Sequence, residues 1–148
     1  MTENAQTLLL NNVLVLLNDG TAYTPAGTTS TTLVMAGYGQ TFTPSKTGRV
    51  LIILLTNVNN NTAGDSVQAV LSYGSGTPPA ANSALAGTQV GSSTDVTSAV
   101  ANAANAITLA AVITGLTVGT TYWVDAAYSA VGGGTATITI RYAIIIEF

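Results

Sequence analysis

Residues 135–148 carry a period-two pattern. Ala136, Ile138, Ile140, Tyr142, Ile144, Ile146 and Phe148 share one parity; Thr135, Thr137, Thr139, Arg141 and Glu147 share the other. Period-two alternation of β-branched residues predicts a half-buried strand. At ~3.3 Å per residue such a strand reaches roughly 46 Å, against a usual length of about 5–6 residues. One sandwich does not need all of it. Ala143 and Ile145 also make the end apolar on both faces. The tail 142–148 is therefore expected to pair with a neighbouring chain.

Further runs predict more strands of the same kind. They are residues 31–36, residues 40–43 leading into Pro44, and the continuous apolar run of residues 48–57. That run reads as buried on both faces, either centrally or at a subunit contact. Residues 66–73 place Val67, Ala69, Leu71 and Tyr73 inward, and residues 106–113 do the same with Ile107, Leu109, Ala111 and Ile113. Residues 120–130 put Tyr122, Val124, Ala126 and Tyr128 on one face, with Trp123 and Asp125 opposite. Turn signals such as Asn18-Asp19-Gly20, Asn59-Asn60-Asn61, Pro78-Pro79 and Gly132-Gly133-Gly134 separate the runs. Many short strands so spaced indicate an all-β sandwich or barrel. Residues 92–105 read either as a helix or as a long loop with a helical turn. No repeat of fixed period is present.

The first thirty residues differ in character. In residues 8–17 a leucine-rich run is broken by Asn11 and Asn12. Recurrence of Asn4, Asn11 and Asn18 every seven residues suits a helix, whereas Val13, Val15 and the turn at Asn18 favour a strand. Glu3 precedes the run, no Lys or Arg does, and no small-residue cleavage site follows, so it does not read as a signal peptide. It is also shorter than the ~20 apolar residues of a membrane span. Residues 1–30 are expected to be an arm and linker, and residues 31–148 a sandwich domain.

Charge and reactive groups then exclude most chemistry. The chain has 148 residues, no His, no Cys, three basic and six acidic side chains, with 6% charged and 47% hydrophobic residues. Ordinary domains carry ~25% charged residues, so much of this surface is expected to be covered by other chains. Three scattered basic residues cannot neutralise a nucleic-acid backbone or hold an anionic membrane. Without His or a thiolate, the usual proton shuttle and strong nucleophile are missing. No enzyme, cofactor or metal is expected.

Individual motifs support the same reading. Ser45-Lys46-Thr47-Gly48 departs from a phosphate loop, which needs Gly directly before Lys and a helix after it, and reads as a turn. Gly74-Ser75-Gly76-Thr77-Pro78-Pro79 reads as a loop leaving a strand, with no helix N-terminus to hold an anion. Asn59, Asn60, Asn61, Thr62 and Asp65 make an oxygen-rich loop with too few carboxylates for calcium. Asp125 lacks a second carboxylate nearby and is expected to bond hydroxyls or Arg141. The aromatics Tyr38, Tyr73, Tyr122, Trp123, Tyr128 and Tyr142 suit core or interface better than sugar stacking.

Certain phrases carry a family resemblance. They are Phe42-Thr43-Pro44 with Gly48 and the strand after it, Val67-Gln68-Ala69-Val70-Leu71-Ser72-Tyr73-Gly74-Ser75-Gly76-Thr77-Pro78, and Gly115-Leu116-Thr117-Val118-Gly119-Thr120-Thr121-Tyr122-Trp123-Val124-Asp125. On these the chain resembles the jelly-roll structural proteins of tailed bacteriophages. The resemblance implies an antiparallel jelly-roll-like β-sandwich with an N-terminal arm. It implies a head decoration (cement) protein, made in the host cytoplasm, placed on the capsid surface and bound as a homotrimer to the major capsid protein. The alternative is the receptor- or carbohydrate-binding head of a tail fibre. Neither implies a nucleic-acid or membrane partner. The expected interface residues are Leu8, Leu10, Val13, Val15 and Leu17 at one end of the chain, and Tyr142, Ile144, Ile145, Ile146 and Phe148 at the other.

Overall fold

The computed structural model describes residues 13–148. Within them all regular structure is β: β1 (Leu14–Asp19), β2 (Val34–Met35), β3 (Gln40–Phe42), β4 (Val50–Asn60), β5 (Ser66–Ser75), β6 (Thr88–Thr97), β7 (Asn105–Ile113), β8 (Tyr122–Val131) and β9 (Ala136–Glu147). Two antiparallel sheets form, ordered β1-β9-β4-β7 and β2-β8-β5-β6, with β3 also on β8. Strands β2 and β3 occupy one lane, on Ala127–Tyr128 and on residues 122–124 of β8. Counted as one broken strand, they complete the eight-strand double winding of a jelly-roll-like β-sandwich.

The alternation read from the sequence builds the core. Val67, Ala69 and Leu71 of β5, Leu109 and Ile113 of β7, and Val124, Ala126, Tyr128 and Ala130 of β8 are buried between the sheets. Val50, Ile52 and Leu54 meet them from β4, and Ala136, Ile138 and Ile140 from β9. Fully burying each large aliphatic contributes about 1.5–3 kcal/mol.

Three expectations are corrected. First, the tail 142–148 does not leave the molecule: β9 is a central strand, paired with β4 along its whole length and with β1 at residues 143–147. Its alternation also changes parity. Leu55 faces Tyr142 and Thr56 faces Ile140, so Arg141 is an extra residue. This bulge turns the following side chains over. Beyond it Ala143, Ile145 and Glu147 are buried, while Tyr142, Ile144 and Ile146 face outward. The sequence permitted both parities because Ala143 and Ile145 are as apolar as their neighbours.

Second, from Leu14 onward the arm and linker belong to the sandwich. β1 is an edge strand on β9, and the chain after it follows β9 through the bridges Tyr23 to Ile140 and Thr28 to Ala136. The Tyr128 hydroxyl donates to Ala26 O at 2.7 Å and the Tyr23 hydroxyl to Ala36 O at 3.2 Å, tying the segment down. Third, residues 92–105 hold no helix. β6 runs to Thr97 and, among the described residues, pairs with β5 alone. Its Ser, Thr and Val residues suit an exposed edge strand.

The two sheets differ on their outer faces. That of the β8 sheet is covered by the chain itself: Met35, Val70, Trp123 and Ala127 form a second small core, with Leu33 and Ala86 packed on it. Nothing among the described residues covers the other sheet in this way.

Candidate functional site

Two buried carboxylates are the first chemical candidates, and each is consumed by the fold. Asp125 is fully buried on the outward side of β8. It accepts from the backbone N–H groups of Gly37 at 2.8 Å, Tyr38 at 3.1 Å and Ala126 at 2.8 Å. The expected partners, hydroxyls or Arg141, are not those found. Asp125 instead holds the break between β2 and β3, where Gly37 adopts a φ of 79°. A side chain there would place its Cβ 2.4 Å from Ala81 N, so only glycine fits. Burial raises the Asp125 pKa to about 6, against the lowering effect of its backbone hydrogen bonds.

Glu147 occupies the turn at Ser45-Lys46-Thr47-Gly48, which is the turn expected from the sequence. Its Oε1 accepts from Lys46 N at 2.9 Å, Thr47 N at 2.7 Å and Gly48 N at 3.0 Å, and its Oε2 from Ser45 N at 2.8 Å. Successive amides of this kind form an anion nest, and here the chain's own side chain fills it. Gly48 closes the nest at a φ of 66°, where a Cβ would lie 2.0 Å from Leu116 O. Burial raises the Glu147 pKa, but the backbone bonds outweigh it and bring it down to about 2. Among the described residues no cavity opens at either carboxylate and no metal-binding cluster is present.

The Asp125 shift has a definite sign. Its folded pKa lies above the ordinary 3.8, so the folded state holds a proton that the unfolded state has lost between those values. This term therefore falls as pH rises from about 4 to 6. Asp125→Asn is expected to flatten that limb by about 3 kcal/mol, measured by urea unfolding at a series of pH values.

Most of the aromatic side chains are taken up by packing within the molecule, Tyr142 on the outer sheet face excepted. Trp123, Tyr38 and Tyr128 are buried, and Tyr122 packs between Phe42 at 5.9 Å and Tyr73 at 6.4 Å.

What remains is the outer face of the β1-β9-β4-β7 sheet. Register places Val15, Ile146, Leu51 and Val112 side by side in one row across all four strands. The next row is Asn18, Ile144, Ile53 and Ala110, followed by Tyr142, Leu55 and Thr108. No charged residue lies in these rows. Val15, Val112 and Leu55 are 54%, 55% and 42% exposed. With strands ~4.8 Å apart and residues ~3.3 Å apart, the apolar area is on the order of 400 Å², the size of the largest patch on an ordinary monomer, which is often functional.

The expected interface residues divide accordingly. Leu8 and Leu10 lie outside the described residues. Val13 and Val15 are exposed, and Tyr142, Ile144 and Ile146 are half-buried on the outer face. Phe148 lies under the Arg49 guanidinium at 5.0 Å. Leu17 packs against the core, and Ile145 is fully buried within it because of the bulge at Arg141. Sequence reasoning missed Leu51, Ile53, Leu55 and Val112 as surface residues. The available signal was the run from Val50 to Leu55, apolar at both parities: one parity fills the core and the other faces out.

No family model matches the chain, and no curated protein does. Among solved structures it is similar to one of infectious bursal disease virus, Gt strain, at 13% identity and a TM-score of 0.41, covering 90% of this chain and 32% of that one. A structure of the Gx strain of the same virus gives 12% identity, a TM-score of 0.41, and coverage of 90% and 35%. The chain spans about a third of the length of the chains it matches.

Proposed function

We propose that this protein is a structural component of a virion. In this reading it is a decoration or cement protein of a bacteriophage head, a homo-oligomer fixed to the major capsid protein at the capsid surface. The observation that carries the proposal is the uncovered apolar patch, with no charge in its three rows, on a sandwich whose buried carboxylates are held by groups of its own chain. Such a protein acts by binding. Burial of the face contributes about 25 cal/mol per Å² before ordering costs. Repeated over many copies, this contribution stiffens a shell. The jelly-roll-like winding and the scarcity of basic side chains accord with a place away from packaged nucleic acid. In the proposed role no turnover is needed, and the protein is not an enzyme.

Negative-stain imaging of phage heads assembled with and without the protein tests this reading. The expected result is extra surface density, present only with the protein, and heads that survive heating or low ionic strength better when it is bound. Density at a tail tip, with an unchanged head, would overturn the head-decoration role.

A further inference from the structure

We propose that Asp125 and residues 36–38 form a pH-sensitive catch, closed in acid and released as the pH rises towards neutrality. The catch holds a weak lane. β2 supplies two residues and β3 three to the edge of the β8 sheet, and residues 36–39 between them belong to neither. In that bend the N–H groups of two successive residues, Gly37 and Tyr38, both end on the Asp125 carboxylate. Ala36 N reaches Ala126 O at 2.8 Å. The other ties are single hydroxyls. Tyr23 donates to Ala36 O at 3.2 Å, and Tyr38 donates to Oδ2 of Asp19, the last residue of β1, at 3.0 Å. Pieces this short open at less cost than the whole fold. Opening wets Asp125 and parts Tyr38 from β1.

Among the described residues at the catch, Asp125 alone changes charge between about pH 4 and 8. Its three hydrogen-bond donors are backbone amides, with no Lys or Arg among them. Tyr23, Tyr38 and Tyr128 face it, each pushed above the ordinary tyrosine value, chiefly by burial. Asp19 stands behind Tyr38 and is held below the ordinary carboxylate value, chiefly by the Thr21 N–H. β5 presents Ser72. Residues 78–88, which lie against Gly37 through Ala81, contain no titratable side chain. A protonated carboxyl still accepts from all three amides, two at Oδ1 and one at Oδ2. In the closed form burial holds the Asp125 pKa at about 6; in the open form it returns to the ordinary 3.8. Below both values each form is protonated and the catch is tightest. As the pH rises the open form loses its proton first, and opening gains about a hundredfold by the time the closed form has ionised.

Amide exchange of the full chain, followed by NMR and corrected for the intrinsic rate at each pH, reads the opening directly. The amides of Gly37 and Tyr38 report the catch. That of Ile52, fully buried in the central strand β4, reports global unfolding. The expected result is an opening constant at Gly37 and Tyr38 that rises about a hundredfold from about pH 3.5 to about pH 7.5. Its dependence on dilute urea should be far below that of Ile52. In Asp125→Asn the rise should disappear. An opening constant that is flat with pH overturns the catch. So does exchange at Gly37 and Tyr38 with the urea dependence of Ile52, because the bend then opens only with the whole molecule. A folded Asp125→Asn chain that keeps the rise assigns it to another group and also overturns the proposal. If Asp125→Asn does not fold, the pH and urea dependences of the native chain decide alone.

Discussion

Ending the chain at Arg141 is expected to abolish folding. The cut removes residues 142–148, the second half of a central strand. Every partner of β1 lies between Ala143 and Glu147, so β1 loses its whole ladder. β4 loses its pairing with β9 from Val50 to Leu55 and keeps only β7 there. The core loses Ala143 and Ile145, both fully buried. A buried isoleucine alone is worth about 1.5–3 kcal/mol. With the lost ladder, the unfilled core and the empty nest at residues 45–48, the total is on the order of 10 kcal/mol, comparable to the whole stability of a domain. The truncated chain should show no cooperative thermal transition and a far-UV spectrum without β structure. A cooperative transition within a few degrees of the full chain would show that β9 is dispensable beyond its bulge.

Glu147→Ala is expected to be the most damaging single substitution at a charged residue. Four backbone amides, those of Ser45, Lys46, Thr47 and Gly48, lose their acceptor together. An unpaired buried donor costs about 1–3 kcal/mol, and water reaching a turn recovers part of it, so a loss of about 4 kcal/mol is expected. For a chain of this size that is roughly 10 °C in Tm. Glu147→Gln keeps one accepting oxygen and should fall between. The pH dependence separates this from a simple packing defect. The folded pKa of about 2 lies below the ordinary 4.5, so the stabilisation is complete above about 4.5 and is lost as pH falls through 2. Calorimetry over that acid range should show a steep limb in the native chain and a shallower one in Glu147→Ala. Equal limbs would mean that the nest does not favour the ionised form.

The pattern of Glu147 also shows where sequence reading stops. In β5, β7 and β8 the apolar parity is uniform, so alternation alone identified the inward residues Val67, Leu109 and Tyr128. In β9 both parities are apolar after Ile140, so the pattern is compatible with either face, and one extra residue at Arg141 decides it. That decision moved Ile145 into the core, exposed Tyr142 and Ile146, and aimed Glu147 at the loop of Ser45 to Gly48. No local spacing connects positions a hundred residues apart. The candidate face was only half legible for the same reason. Val15, Ile144 and Ile146 were recognised as surplus apolar residues. Leu51 and Val112 became their neighbours only when the strand order placed β9 beside β4 and β4 beside β7.

The central claim is that this apolar face is covered by another copy in solution. Sedimentation equilibrium of the full chain and of Val112→Asp at micromolar concentration tests it most directly. Val112 is 55% exposed, so the aspartate should leave the fold intact, whereas a carboxylate buried without a partner at an interface costs several kcal/mol. The account requires the native chain to sediment as a multiple of 14.9 kDa. It requires Val112→Asp, with an unchanged far-UV spectrum, to associate at least a hundredfold more weakly. A native chain that remains a soluble monomer throughout that range would contradict it.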